Sequence, residues 1–157
     1  MSDYQAALTQ LSTLEAFANV EANLPDPPSN MPQSRPRASG MDPNMWYGLG
    51  CVGIWAALDA FKERSGRPIR TALTAQLETV WDELNDLGHL FAHNFAGIAD
   101  RKYLDNPKRM VVKPNSPYTL TCGLQFGGND GERINLTVDH FKHYVREARE
   151  ILQRVAA

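Results

Sequence analysis

The chain has 157 residues, 43% of them apolar and 22% charged, which is the composition of one globular domain and excludes a chain disordered throughout. Sixteen Lys and Arg against eighteen Asp and Glu leave a net charge of −2, so no global field draws it to nucleic acid or membrane, and anion binding must come from a local patch. No stretch approaches the ~18 to 20 apolar residues of a membrane span, the polar start (Ser2, Asp3, Gln5) is unlike a signal peptide, and Cys51 and Cys122 make no disulfide framework. A reducing cytoplasm is the expected setting.

From Tyr4, the residues Leu8, Leu11, Leu14 and Phe17 recur at three and four positions and stripe one face of a helix ending near Glu21. Residues 25–43 hold six prolines with Ser, Asn and Gly, and residues 23–43 read as an extended connector. A second helix is expected from Asn44 to about Glu63, with Trp46, Leu49, Gly53, Ile54, Ala57 and Phe61 on one face. Gly48, Gly50 and Gly53 each cost about 1 kcal/mol against Ala in a helix, which close packing of another backbone would offset.

Ser65 and Gly66 end that helix, and Pro68 suits the first turn of the next. There Ile69, Leu73, Leu77, Val80, Leu84, Leu87 and Phe91 form a sustained apolar seam that predicts a helix closing between Phe95 and Gly97. Residues 99–113 turn polar and locally basic, with Arg101, Lys102, Lys108, Arg109 and Lys113 against Asp100 and Asp105. Residues 118–126 alternate apolar with small or polar side chains, and 133–138 alternate again beyond a glycine-rich turn at 127–131. The pair reads as a β-hairpin spanning 118–138. Asp139 is the expected cap of a last helix striped by Phe141, Val145, Ala148, Ile151 and Val155. The expected architecture is therefore mainly α, one domain over 1–157, with four helices in an up-and-down bundle and a β-hairpin inserted before the last.

The four histidines fall in two pairs, His89 with His93 and His140 with His143. Histidines at such spacing share a helix face, and Asp86, His89 and His93 together would suit a metal-dependent hydrolase, although no third ligand is fixed by spacing. His140 and His143 read as polar helix residues or hydrogen-bonded partial-core residues. Gly48, Gly50 and Gly53 match G-x-G-x-x-G, but the preceding strand that a dinucleotide site requires is missing from the pattern. Cys51 and Cys122 lack the cationic surroundings of an activated thiol and read as small packing residues.

The stretch 87–97, with His89, His93 and Asn94 near the end of a long helix, resembles the signature of HEPN domains (higher eukaryotes and prokaryotes nucleotide-binding), an all-α family rich in metal-independent ribonucleases. The family motif is an arginine, a polar residue, and a histidine after four to six intervening positions. Here the motif histidine is His93, the polar residue is His89, and the arginine position holds Gly88. The resemblance covers about residues 44–157 and implies an RNA-directed protein of toxin or phage-defence type, acting as a homodimer without a cofactor or metal, with a cognate antitoxin or defence protein as a further partner and no membrane association. It implies His93 as general acid/base, with Asn94 and His89 positioning it or the phosphate. The basic residues Arg101, Lys102, Lys108 and Arg109 would hold RNA backbone.

With Gly88 in place the bidentate phosphate clamp is lost, so the expected endoribonuclease is one whose activity the sequence itself puts in question. A degenerate family member, an inactivating replacement and close helix packing each account for that glycine. Arg133 precedes His140 by seven positions and repeats the motif spacing, but a strand–helix boundary between them argues for coincidence. Arg101 lies near enough in sequence to His93 to replace the missing cation. The alternative expectations are a non-catalytic binding or scaffold module and the Asp86–His89–His93 hydrolase.

Overall fold

The computed structural model describes residues 1–24, 43–93, 118–126 and 133–157. Within them lie four α-helices: α1 (Asp3–Ala22), α2 (Pro43–Ser65), α3 (Ala75–His93) and α4 (Val138–Ala156). Contacts at matching levels give their directions. Leu14 meets Gly53 and Phe17 meets Trp46, so α1 and α2 run antiparallel. Gly48 meets Phe91 and Trp55 meets Gly88, so α3 is antiparallel to α2. Ala156 shares a surface cleft with Ser2 and Tyr4, and Phe141 shares a cavity with Leu14 and Phe17, so α4 is antiparallel to α1. The result is an up-and-down bundle in which α2 touches all three other helices.

Local chemistry explains the boundaries. The Ser2 side chain caps α1 by accepting from Gln5 N at 3.2 Å, and Asp3 complements the helix dipole in the first turn. At the end of α2, Gly66 takes φ +62°, a left-handed conformation that stops the helix, while its N–H bonds Lys62 O. The apolar stripe of α1 is rotated from expectation: Ala7, Leu11 and Ala18 are buried, whereas Phe17 is 55% exposed and rests edge-on against Trp46.

The third helix starts later than its seam implies. Residues Arg70–Ala72 form one 3-10 turn, Leu73 is extended, and α3 begins at Ala75. Thr74 makes the new start, its carbonyl accepting from Glu78 N and its hydroxyl from Leu77 N. Ile69 is buried all the same, and Leu77, Val80, Leu84, Leu87 and Phe91 are each 3% exposed or less. Each such side chain contributes roughly 1.5–3 kcal/mol by leaving water, so the seam is a major part of the core.

Among the described residues, the long hairpin expected across 118–138 is not seen. Residues 118–126 double back on themselves: Tyr118–Thr119 pairs antiparallel with Gln125–Phe126, with Tyr118 opposite Phe126 and Thr119 opposite Gln125. Leu120 O accepts from Gly123 N, and Gly123 at φ +90° supplies the left-handed residue that this tight turn requires. Residues 134–137 do alternate, with Ile134 and Leu136 buried, yet Leu136 N donates to the Asn44 side chain on α2 at 2.6 Å rather than to a strand. The predicted turn at 127–131 lies outside the described residues.

The fourth helix is capped by Thr137, not Asp139. Thr137 Oγ1 accepts from His140 N, and His140 Nδ1 accepts from Thr137 N at 3.1 Å, a reciprocal box that leaves Asp139 as a first-turn acid. Phe141, Tyr144, Val145, Ala148, Ile151, Leu152 and Val155 face the core. Arg67 Nη1 donates to Val155 O at 2.7 Å and so satisfies one of the orphan carbonyls at the helix end. No described helix is long and apolar enough to cross a membrane.

Candidate functional site

The segment that carries the family resemblance is the C-terminal half of α3. Gly88 is buried against α2, and a Cβ built there would lie 3.4 Å from Trp55 Cβ and Cγ, an ordinary contact. His89 is half-buried, its ring centred 5.4 Å from that of Trp55 and inclined at 49°. Asp86 is buried at 1% exposure, and His93 is the last residue of α3. The side chain of His93, and Asn94, Arg101, Lys102, Lys108 and Arg109 entirely, lie outside the described residues. Among the described residues there is no group of three His, Cys, Asp or Glu placed to hold a metal ion. Arg133 is exposed, and the His140 ring is engaged in the helix cap, which gives that histidine a structural use of its own.

The G-x-G-x-x-G match on α2 has a packing explanation. A Cβ on Gly48 would enter the Phe91 ring of α3, one on Gly50 the Phe141 ring of α4, and one on Gly53 would sit 2.8 Å from Leu14 Cδ2 of α1. Three glycines thus serve three neighbouring helices, and the central helix is thinned where each approaches. Cys51, also on α2, is fully buried, and burial drives its thiol far above the ordinary value, so it is inert as a nucleophile. Beside this face, among the described residues, lies an apolar cavity of about 230 Å³ lined by Leu14, Phe17, Trp46, Tyr47 and Phe141 and carrying no charged group.

A second polar cluster joins α3, the hairpin and α4. Glu83, 2% exposed, accepts at Oε1 from Thr121 N (2.8 Å) and at Oε2 from Thr121 Oγ1 (2.6 Å) and Tyr144 OH (3.0 Å). Thr121 Oγ1 also lies 3.0 Å from His143 Nε2, and Arg146 Nη2 lies 2.9 Å from His143 Nδ1. Because a guanidinium only donates, His143 Nδ1 is the acceptor and its proton resides on Nε2, donated to Thr121. A single direction therefore runs through the chain of bonds, from Arg146 through His143 and Thr121 to Glu83.

The electrostatics follow from this geometry. Burial raises the Glu83 carboxyl above its ordinary value, against the lowering effect of the Thr121 and Tyr144 hydrogen bonds. Burial lowers His143, with Arg146 and His140 adding to the effect and Glu147 opposing it. Neutral His143 therefore supports the fold above the ordinary histidine value of 6.5, and this contribution is lost as the pH falls from 6.5 through the lowered folded value. Histidine-resolved NMR titration should place the His143 midpoint below 6.5; a midpoint at or above it would contradict the bond directions just described.

The sequence left His143 as either a polar helix residue or a hydrogen-bonded partial-core residue and did not indicate its partners. The available signal was Glu83, an acid lying one position from the seam residue Leu84, which sits on the buried face of α3. The comparisons bring no relative to this cluster or to the α3 segment: no family model, no curated protein and no solved structure matches the chain.

Proposed function

We propose that the chain is an HEPN-like RNA-directed module, of toxin or phage-defence type, that binds RNA but is disarmed for cleavage by the glycine at position 88. The up-and-down bundle is the architecture this reading requires, and the motif-like stretch closes its third helix. The observation that carries the disarmed state is the surroundings of Gly88. A Cβ there meets Trp55 at 3.4 Å with no overlap, so packing does not demand glycine, and the residue that would supply a phosphate clamp is simply missing. Restored arginine would run beside the Trp55 ring, a surface that suits a guanidinium. In this reading His93 is the acid/base group, Asn94 and His89 position it, and Arg101, Lys102, Lys108 and Arg109 hold the RNA backbone. A second copy of the chain completes the cleft.

The test is RNA cleavage in the presence of a chelator. The unaltered protein should bind single-stranded RNA in a salt-sensitive manner without cutting it. Gly88→Arg should cut, and His93→Ala added to Gly88→Arg should stop the cutting. Cleavage by the unaltered protein that His93→Ala abolishes would mean that another cation, Arg101 first, replaces the clamp. Failure of the folded Gly88→Arg protein to bind or cut any RNA offered would remove the RNA-directed reading.

A further inference from the structure

We propose that Glu83, Thr121 and His143 form a proton-linked latch on the 118–126 hairpin, which is held most tightly when Glu83 is protonated and His143 is neutral. The hairpin needs an external hold, because a two-pair ladder does not stand alone in water. That hold spans 38 residues of sequence, from Glu83 on α3 to Thr121 at the tip, where both the N–H and the O–H of one residue bond to one carboxyl group. Buried Leu120 is the apolar part of the same contact.

The direction of the linkage comes from what faces Glu83. The groups bonded to it are an amide, a hydroxyl and a phenol, all uncharged, and no salt bridge to Glu83 occurs among the described residues. A carboxylate buried without a counter-ion is costly, so docking the hairpin over Glu83 favours proton uptake. The raised pKa of the docked carboxyl has the same sign, as burial outweighs its hydrogen bonds. From α4, His143, Tyr144, Arg146, Glu147 and His140 face the cluster; Cys122 from the hairpin and Cys51 from α2 stand beside Tyr144.

His143 works in the opposite sense. A proton on its Nδ1 would remove the acceptor that Arg146 uses and set two cations side by side. Raising the pH therefore weakens the latch through Glu83 once the pH passes its raised value, and lowering the pH below 6.5 weakens it through His143.

The experiment follows the Thr121 amide, whose N–H bonds Glu83 directly, by hydrogen exchange corrected for intrinsic rate, from about pH 5 to about pH 8 in the full chain. In the unaltered protein its protection should decline toward the alkaline end, by about tenfold for each unit that separates the docked and open Glu83 values. Glu83→Gln should abolish that alkaline decline, and His143→Gln should abolish the acid-side decline. Tyr144→Phe, which removes one hydrogen bond that favours the carboxylate, should move the alkaline midpoint upward. Parallel profiles in the unaltered and Glu83→Gln proteins would overturn the proposal. If Glu83→Gln proves unfolded, an unmoved or lowered midpoint in Tyr144→Phe would overturn it as well.

Discussion

Gly48→Val should abolish cooperative folding or cost more than about 3 kcal/mol, whereas Gly88→Ala should raise stability by up to about 1 kcal/mol. Both glycines lie inside helices and both are buried, so helix propensity alone predicts the same gain at each. The difference is what their missing side chains would meet. At Gly48 the Cβ position falls within the Phe91 ring, and Phe91 is fully buried. At Gly88 the Cβ position stands 3.4 Å from Trp55, so only the conformational advantage of alanine remains. Urea unfolding of the two variants measures both effects. A stable, cooperative Gly48→Val protein would show that α2 and α3 are not in contact at this level.

Glu83→Ala should cost about 2–4 kcal/mol at neutral pH, and Glu83→Gln less than about 1 kcal/mol. Alanine leaves Thr121 N, Thr121 Oγ1 and Tyr144 OH without their acceptor, and a donor buried without a partner costs about 1–3 kcal/mol. Part of that is recovered, because the uncompensated carboxylate is gone and Thr121 is only half-buried. Glutamine keeps an acceptor oxygen and removes the charge. Since the folded value of Glu83 is raised, its protonation supports the fold fully below 4.5, and this support is lost as the pH rises through the raised value. The stability of Glu83→Gln relative to the unaltered protein should accordingly be more favourable at pH 8 than at pH 5. Denaturant midpoints at the two pH values give the comparison, and the reverse order would show that the three hydrogen bonds outweigh burial.

These two predictions also mark the line between local and long-range information. Gly48, Gly50 and Gly53 were legible as a small-residue face, but which helix each one admits follows only from the packed bundle. Glu83 was legible only as an acid beside a strong seam. Its partner Thr121 looked like part of one continuous strand, because alternation is the same whether nine residues run straight or fold back at Gly123.

The candidate site divides in the same way. Gly88 and His89 were found from a short motif, and their placement against Trp55 shows that packing does not force the glycine. His140 was read as a polar helix residue or a hydrogen-bonded partial-core residue, and its ring closes the Thr137 capping box. The spacing of two histidines records a shared helix face and says nothing of what lies opposite.

By itself, the sequence determined the four helices, the stop at Gly66 and the apolar seam of Leu77, Val80, Leu84, Leu87 and Phe91, because a 3.6-residue period is a local property of the chain. The late start of α3 at Thr74, the fold-back of 118–126, the Asn44–Leu136 bond and the Glu83 cluster were decided by tertiary structure. Each depends on a hydrogen-bonding group or a surface distant in sequence, or on a local choice between competing caps that packing resolves. A periodic pattern states which face is buried, but only the assembled bundle states against what.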